Sequence, residues 1–262
     1  MSDKIIRTFG EGFLEEKASG LRVLHVKGTA YERGYQHGML LAEEIRECIS
    51  AGITRSALSL GTPWGQIGGG DYEAGLKKLA WGRESMEPWI PPKFRQEMRG
   101  MADALAAKRS NITYDDILAW NIATDVDLFF FHPHPVDMGK PGIRVPYPPI
   151  ACTTFCAFGE ATPDATMIFG KNMDFCAPPE VEKNVLIVVV NPSDGGHSFF
   201  VPTVPGILGI DGGMNDVGIA FGINYSGSQP ETLHGTGCHY MTRIILQYSS
   251  SMEDVITLLN VY

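Results

Sequence analysis

A cysteine at the start of two strand-like runs that fold back on each other is the feature that most constrains this chain. The first run begins with Ala151-Cys152-Thr153-Thr154-Phe155, and the second ends with Gly170-Lys171-Asn172-Met173-Asp174-Phe175. The segment Thr162-Pro163-Asp164 predicts a turn between them, because proline and aspartate favour turns. An antiparallel hairpin brings its far end back beside its start. We therefore expect the thiol of Cys152 to be surrounded by three side chains of the return strand: Lys171, Asn172 and Asp174.

The chemistry expected of Cys152 is that of a nucleophile. A thiol attacks as its thiolate, and an ordinary cysteine pKa of about 8.5 leaves only a small fraction ionised at neutral pH. A base or a cation must therefore lie nearby, yet the histidines are remote from Cys152 in the sequence. Cleavage between Ala151 and Cys152 would free an α-amine, whose ordinary pKa of about 8 suits a base. Asp174 would hold that amine, and Lys171 would favour negative charge on the sulfur or the substrate.

Metal binding is the competing chemistry for this cysteine. Cys152 and Cys156 would need two further ligands, taken from Cys238, His239, His132 and His134. Residues four apart in a strand share a face but lie about 13 Å apart, which is too far for one zinc ion. The spacing also lacks the second matched pair of a zinc site. The sequence therefore predicts neither a metal nor a cofactor.

The rest of the chain divides just before Cys152. Helical patterns dominate up to residue 151, with Thr29 and Glu32 forming a predicted capping box, and a proline-rich linker is expected between His132 and Ile150. Strand-like runs and then two helical segments follow, at 153–158, 167–172, 185–190, 197–204 and 218–223, and at 240–247 and 252–259. We interpret this as an α+β fold, in which a helix-rich segment (1–151) packs on a core (152–262).

Composition and charge exclude several classes of function. The 262 residues carry a net charge of −9, which argues against a nucleic-acid partner because such proteins present a basic surface. The sequence contains no apolar leader segment and no apolar run long enough to cross a bilayer, so no membrane partner is expected. The five cysteines are an odd number and lack the density of a disulfide scaffold. A reducing cytoplasm is the predicted compartment.

These residues resemble the N-terminal nucleophile (Ntn) hydrolases, specifically the peptidase C45-like family of acyl-CoA:6-aminopenicillanic acid acyltransferase, also called isopenicillin-N acyltransferase. The choloylglycine hydrolases are a more distant likeness. Three stretches carry the resemblance: Gly28 to Gly38, the hairpin from Cys152 to Phe175, and Pro205 through Asn215 to Tyr225. The resemblance implies an αββα sandwich made as an inactive precursor. The precursor would cleave itself before the cysteine, and the α and β fragments would remain associated.

The resemblance also implies roles for individual residues. Cys152 is the nucleophile and, through its freed amine, the base, with cleavage between Ala151 and Cys152. Asp174 stands where the family's carboxylate orients the amine, and Asn224 stands where the choloylglycine branch places an oxyanion-hole amide. Lys171 replaces an arginine that is common at its position, which keeps the charge but loses the bidentate fork. Three residues are predicted to bind substrate or to support the nucleophile: Lys171, Asn172 and Thr153.

We therefore predict a self-processing cysteine amidohydrolase or acyltransferase. It would act on a small N-acyl or peptide-like substrate through an acyl-thioester on Cys152. Two alternatives stay open, a non-catalytic or truncated relative of the fold and a phospholipase B-like acyl hydrolase, and a homo-oligomer is also left open. Because few residues follow Cys152, the C-terminal part is expected to be truncated. Asn215 is expected in a turn between strands, and His37 is expected to be a packed helix residue.

Overall fold

The computed structural model describes residues 2–62, 70–131, 150–175, 177–225 and 232–262. The strands among these residues are β1 (Lys4–Phe9), β2 (Gly12–Glu16), β3 (Arg22–Gly28), β4 (Ile150–Gly159), β5 (Ala165–Phe175), β6 (Leu186–Pro192), β7 (Phe199–Thr203), β8 (Gly212–Asn215) and β9 (Ala220–Gly222). The helices are α1 (Ala30–Leu40), α2 (Ala42–Leu60), α3 (Tyr72–Met86), α4 (Pro92–Ala107), α5 (Tyr114–Phe131), α6 (Pro179–Glu182), α7 (Cys238–Tyr248) and α8 (Met252–Val261). The predicted linker after residue 131 lies outside the described residues.

Two sheets are formed by the described strands. The larger has seven strands in the order β1-β2-β3-β6-β7-β8-β9, in which β3 and β6 are parallel and the other neighbours antiparallel. Strands β4 and β5 form a separate antiparallel hairpin. The mixed α+β fold is therefore confirmed. Residues before Cys152 contribute β1–β3 to the same sheet as β6–β9, and the domain division at residues 151 and 152 stays a prediction.

The larger sheet presents two different faces, as β7 shows. Alternate side chains of a strand point to opposite faces. Phe199 and Val201 are buried in the core formed with the helices, whereas Phe200 and Pro202 point the other way and are less buried. This second face lies opposite the β4–β5 hairpin, since an added Cβ at Gly222 of β9 would lie 2.9 Å from a ring atom of Phe169 in β5.

Helix α1 begins with the predicted capping box, which the structure confirms. Glu32 accepts a 2.8 Å hydrogen bond from the backbone N–H of Thr29, and the Thr29 hydroxyl accepts one from the N–H of Glu32. Farther along α1, a Cβ on Gly34 would lie 1.8 Å from the carbonyl oxygen of Glu97 in α4. Glycine is therefore needed for the close packing of these two helices. No helix among the described residues is both long and apolar enough to cross a bilayer.

A buried ion network joins α1, α4 and α7. Glu97 Oε2 lies 2.8 Å from Arg243 Nη2 and 3.2 Å from Arg33 Nη2, and Arg33 also bonds Asp194 at 2.8 Å. Burial favours the neutral acid of Glu97, but the two guanidinium groups outweigh it and hold the pKa of Glu97 below its usual range. Removing one partner of a buried pair typically costs about 3–5 kcal/mol, so this network fixes the three helices together.

Candidate functional site

The pairing of β4 with β5 decides which side chains share a face with Cys152. Cys152 pairs with Met173, and Ala151 pairs with Asp174. Opposed residues of an antiparallel pair lie on the same face, and successive residues alternate. The Cys152 side chain therefore shares its face with Met173, while Asp174 points to the other face of the hairpin.

Cys152 is half-buried and lines a cavity of about 430 Å³. We call this the nucleophile cavity; its wall also includes Asp125, Asp211, Asn224 and Cys238. The Cys152 thiol donates a long hydrogen bond to Asp211, with 4.0 Å between Sγ and Oδ2. The sulfur thus faces a space that a small substrate could enter, with a proton acceptor beside it.

Asp211 connects the thiol to a buried histidine. Its second carboxylate oxygen lies 3.5 Å from Nε2 of His239, and both side chains are largely buried, at 14% and 3% exposed. Neither ring nitrogen of His239 has a hydrogen bond within the part of the chain that the structure describes. Burial lowers the pKa of His239, but Asp211 and Asp125 outweigh it and raise the pKa above its ordinary value. The arrangement is a chain of thiol, carboxylate and imidazole.

The backbone holds Asp211 next to the strand end that carries Asn224. The Asp211 carbonyl accepts a 2.7 Å hydrogen bond from the N–H of Ile223, at the end of β9. The side-chain amide of Asn224 donates to the Thr154 hydroxyl at 2.8 Å. Thr154 lies on the Cys152 face of the hairpin, two residues on. Asn224 and Cys152 are therefore brought to one cavity, and the second amide hydrogen of Asn224 is not engaged by this bond.

A second thiol on the same cavity wall is held in its neutral form. Cys238 begins α7, and its backbone N–H donates to Asp125 Oδ1 at 3.0 Å. Burial, and then the adjacent Asp125 carboxylate, raise the pKa of the Cys238 thiol well above its usual value. Burial likewise raises the pKa of Cys48, to about 12. Both groups are therefore poor nucleophiles compared with an ordinary thiol.

The other predicted residues lie apart from the thiol. Asp174, Asn172 and Thr153 are exposed on the opposite face of the hairpin, where the Asn172 amide donates to Asp174 at 2.6 Å. Lys171 is on the Cys152 face, paired with Thr154, and its ammonium donates to the Asn172 carbonyl at 3.1 Å. In the intact chain the strand's two-residue period therefore divides the polar residues of the return strand between two faces, with Lys171 on the face of the thiol and Asn172 and Asp174 on the other. Their roles at the thiol stay predictions.

Two other expectations have clear outcomes. Asn215 ends β8 at the predicted turn, where its amide donates to the carbonyls of Leu246 and Ser249 and its oxygen accepts from Ile219 N–H. His37 is packed in α1 and accepts a 3.3 Å hydrogen bond from Gly206 N–H, and burial lowers its pKa to about 4. No three metal-binding side chains cluster within the described ranges, and His132 and His134 lie outside them.

Asp211 and His239 were not predicted from the sequence. Asp211 stands between Ile210 and Gly212, where it is easily taken for a turn residue, and His239 lies far from Cys152 along the chain. The available signal was a charged residue placed directly before a glycine-rich strand of an otherwise apolar segment. That signal marks Asp211 as an unusual residue, but it does not predict that Asp211 lies beside the Cys152 thiol.

Comparison with known proteins supports the family resemblance. Residues 161–261 match the family model described as acyl-coenzyme A:6-aminopenicillanic acid acyl-transferase. The match confirms the resemblance predicted from the sequence. The matched range begins after Cys152 and includes the positions of Lys171, Asp174, Asp211 and Asn224.

Three curated relatives match most of the chain. A protein of Archaeoglobus fulgidus, described as an uncharacterized protein, is 29% identical over 97% of this chain and 42% of its own length. Protein dcd1A and protein dcd1B of Dictyostelium discoideum are 24% and 21% identical, over 90% and 92% of this chain and 52% and 45% of their own lengths. The chain spans about half the length of the curated relatives it matches, and the predicted truncation is not confirmed.

Proposed function

We propose that this chain is an Ntn-type cysteine amidohydrolase or acyltransferase of the αββα class, which cleaves itself before Cys152. The family match suggests an acyltransferase or hydrolase. The observation that carries the finer proposal is the position of the Cys152 sulfur, on the wall of a substrate-sized cavity and 4.0 Å from a carboxylate oxygen of Asp211.

Self-cleavage needs a base that exists before the α-amine is free. In this step the Cys152 sulfur attacks the carbonyl carbon of Ala151, and its proton passes to Asp211. The C–N bond then breaks, the departing nitrogen of Cys152 takes the proton from Asp211, and a thioester joins Ala151 to the sulfur. Water hydrolyses this thioester, which releases a carboxylate on Ala151 and regenerates the thiol. Asp211 is the proposed base for this first step, because its carboxylate already accepts the hydrogen bond of the Cys152 thiol.

Turnover of a substrate then uses the new α-amine of Cys152 as base. The sulfur attacks an amide carbonyl, and the Asn224 amide, together with a backbone N–H, stabilises the oxyanion. The protonated α-amine then gives its proton to the departing amine nitrogen, and the C–N bond breaks to leave an acyl-thioester. Water or another amine attacks this thioester, takes the acyl group and regenerates the thiol. Asp174 is proposed to support the new terminus, since it pairs with Ala151 immediately before the cleaved bond. Lys171, on the same face of the hairpin as the sulfur, is proposed to favour negative charge on the substrate.

The test is a denaturing mass spectrum of the purified wild type and of four variants. We expect two fragments that meet between Ala151 and Cys152 in the wild type, and one intact chain for Cys152→Ala. Asp211→Asn should slow cleavage at least tenfold, because asparagine cannot take up the thiol proton. The matched control is Asp216→Asn, an exposed carboxylate only five positions along the chain that pairs with His197 at 3.1 Å. Cys152→Ser tests whether a hydroxyl can act as the nucleophile in place of the thiol.

The outcomes separate the proposal from its alternatives. Intact wild type whose Cys152 is inert toward acyl substrates would favour a non-catalytic relative. Cleavage of acyl esters but not of matched acyl amides would favour a phospholipase B-like acyl hydrolase. Equal cleavage by Asp211→Asn and the wild type would remove Asp211 from the first step, while leaving Cys152 as the nucleophile.

A further inference from the structure

A second and larger cavity adjoins the nucleophile cavity, and we infer that it binds an apolar acyl chain. That the bound apolar group is the acyl part of the substrate rests on the proposed function. The inference names the substrate class, an N-acyl compound with an extended aliphatic acyl group. Binding of the acyl chain depends on the cavity and can be measured without any reaction.

This cavity, the inter-sheet cavity, has a volume of about 620 Å³. It lies between β5 of the hairpin and the second face of the seven-stranded sheet, and residues of α2 and α5, among them Gly52 and Trp120, complete its wall. Met167, Phe169 and Met173 line it from alternate positions of β5, and Phe200 and Pro202 line it from β7. The volume falls in the range of about 300–1,000 Å³ that is typical of small-molecule sites.

The two cavities share part of their walls. Thr124, Met173 and Asp211 line both of them. Met173 pairs with Cys152 across the hairpin, and Asp211 accepts the hydrogen bond of the Cys152 thiol. A carbonyl placed at the Cys152 sulfur can therefore extend its acyl chain past Met173 into the inter-sheet cavity. The chain would be removed from water, while the amine side of the substrate would stay in the nucleophile cavity.

The chemistry of the wall favours an aliphatic ligand over a sugar or a phosphorylated one. A ligand rich in oxygen needs several convergent donors, whereas more than half of the residues lining this cavity are methionine, phenylalanine, tryptophan, valine, isoleucine, proline or alanine. Lys171 is the cation that lies on the β5 face of this wall, two residues before Met173. It shares a face of β5 with Met173, which lines both cavities, and its ammonium is the group proposed to hold the carboxylate of a free fatty acid.

The binding test uses cis-parinaric acid, a fluorescent fatty acid, with the full chain carrying Cys152→Ala so that no chemistry intervenes. Trp120 lines the inter-sheet cavity, so bound parinarate should quench tryptophan emission by energy transfer and gain fluorescence. Saturated fatty acids of eight to fourteen carbons should displace it, each below its aggregation concentration. Burial of one methylene corresponds to about a fourfold gain in affinity, so the displacement constant should fall about fourfold per carbon until the cavity is filled.

Variants at the rim of the cavity distinguish binding inside the cavity from binding to exposed apolar surface elsewhere on the protein. Met167 and Met214 line the cavity and are 61% and 42% exposed, so a charged side chain at either position can reach water without unfolding the protein. Met167→Glu and Met214→Glu should each weaken parinarate binding at least tenfold. Phe158→Glu is the matched control, since Phe158 is 62% exposed on the same hairpin and does not line the cavity. Near-ultraviolet circular dichroism checks that each variant keeps its fold.

Several results would overturn the inference. These are the absence of saturable binding, a displacement constant that does not depend on chain length, and equal weakening by Phe158→Glu and Met167→Glu. The proposed function is tested separately, with acyl anilides of two to twelve carbons and the protein with Cys152 intact. Parinarate binding without anilide cleavage supports the cavity and refutes the amidase. Cleavage with no preference for longer acyl groups supports the amidase and refutes the acyl-chain assignment.

Discussion

Replacing Asp127 with asparagine should stabilise the protein in a strongly pH-dependent way. The Asp127 carboxylate lies on the wall of the inter-sheet cavity and accepts a 2.7 Å hydrogen bond from the hydroxyl of Ser56. Burial raises its pKa from 3.8 to about 7, against the opposing effects of that hydrogen bond and of the Arg55 charge. Asparagine has nearly the same shape and can still accept the bond from Ser56, but it carries no charge at any pH.

The sign and size of the effect follow from proton linkage. Below pH 3.8 both the native and the unfolded Asp127 are protonated, so the group contributes no pH dependence. As the pH rises through about 7, the unfolded chain releases the proton first, and the free energy of unfolding falls. One pKa unit corresponds to about 1.4 kcal/mol. The full loss above pH 7 is therefore about 4 kcal/mol, of which about 3 kcal/mol develops between pH 4.5 and pH 8.

Urea denaturation of the wild type and of Asp127→Asn, measured from pH 4.5 to pH 8, checks this reasoning. The stability gained by the variant should grow by about 3 kcal/mol across that range. The matched control is Asp115→Asn on the same helix, where the carboxylate is 59% exposed, and its effect should be small at every pH. A constant gain across the range, or a variant less stable than the wild type at pH 8, would refute the argument.

Three further substitutions test the packing that holds the site, each by urea denaturation. Glu97→Ala leaves the buried guanidinium groups of Arg33 and Arg243 without a carboxylate, and should lower the free energy of unfolding by about 3–5 kcal/mol. Gly34→Ala places a Cβ 1.8 Å from the carbonyl oxygen of residue 97, and should cost about 1–3 kcal/mol through overpacking. Asn215→Ala removes three hydrogen bonds to backbone groups and should cost about 2–3 kcal/mol.

Each of these substitutions has a matched control at a position that lacks the buried contact. Glu84 and Asn260 are exposed, and a Cβ on Gly235 meets nothing within 4 Å. Alanine at each of these positions should cost no more than about 0.5 kcal/mol. If a buried variant were as stable as its control, the contact assigned to it would not contribute to the fold.

Local sequence patterns predicted much of the fold because the relevant physics was local. The capping box at Thr29 depends on residues three apart. The hairpin was predicted from two strand-like runs and one turn, and β4 and β5 lie where those runs stand. Strands β1 and β2 were missed. β1 is almost wholly exposed, so it carries no clear alternation of apolar residues.

The candidate site was only partly predictable, because its residues meet through tertiary structure. Cys152 was singled out from its sequence context and Asn224 from the family resemblance, and the side chains of both line one cavity. The contact of Asp211 with the thiol depends on the loop before β8 and on its tie to Ile223, neither of which leaves a periodic signal. His239 was set aside because it is remote in sequence, although the start of α7 brings it to 3.5 Å from Asp211.

The proposed mechanism uses two bases in succession. In the intact chain the backbone nitrogen of Cys152 is an amide and cannot accept a proton, so the proposal assigns the first step to Asp211. After the proposed cleavage the α-amine would be the base, and Asp174, which pairs with Ala151, would be the carboxylate beside the new terminus. Asp211→Asn should therefore slow self-cleavage far more than turnover by protein that has already been cleaved, whereas Asp174→Asn should show the opposite pattern. Equal effects of each variant on both steps would contradict this division of roles.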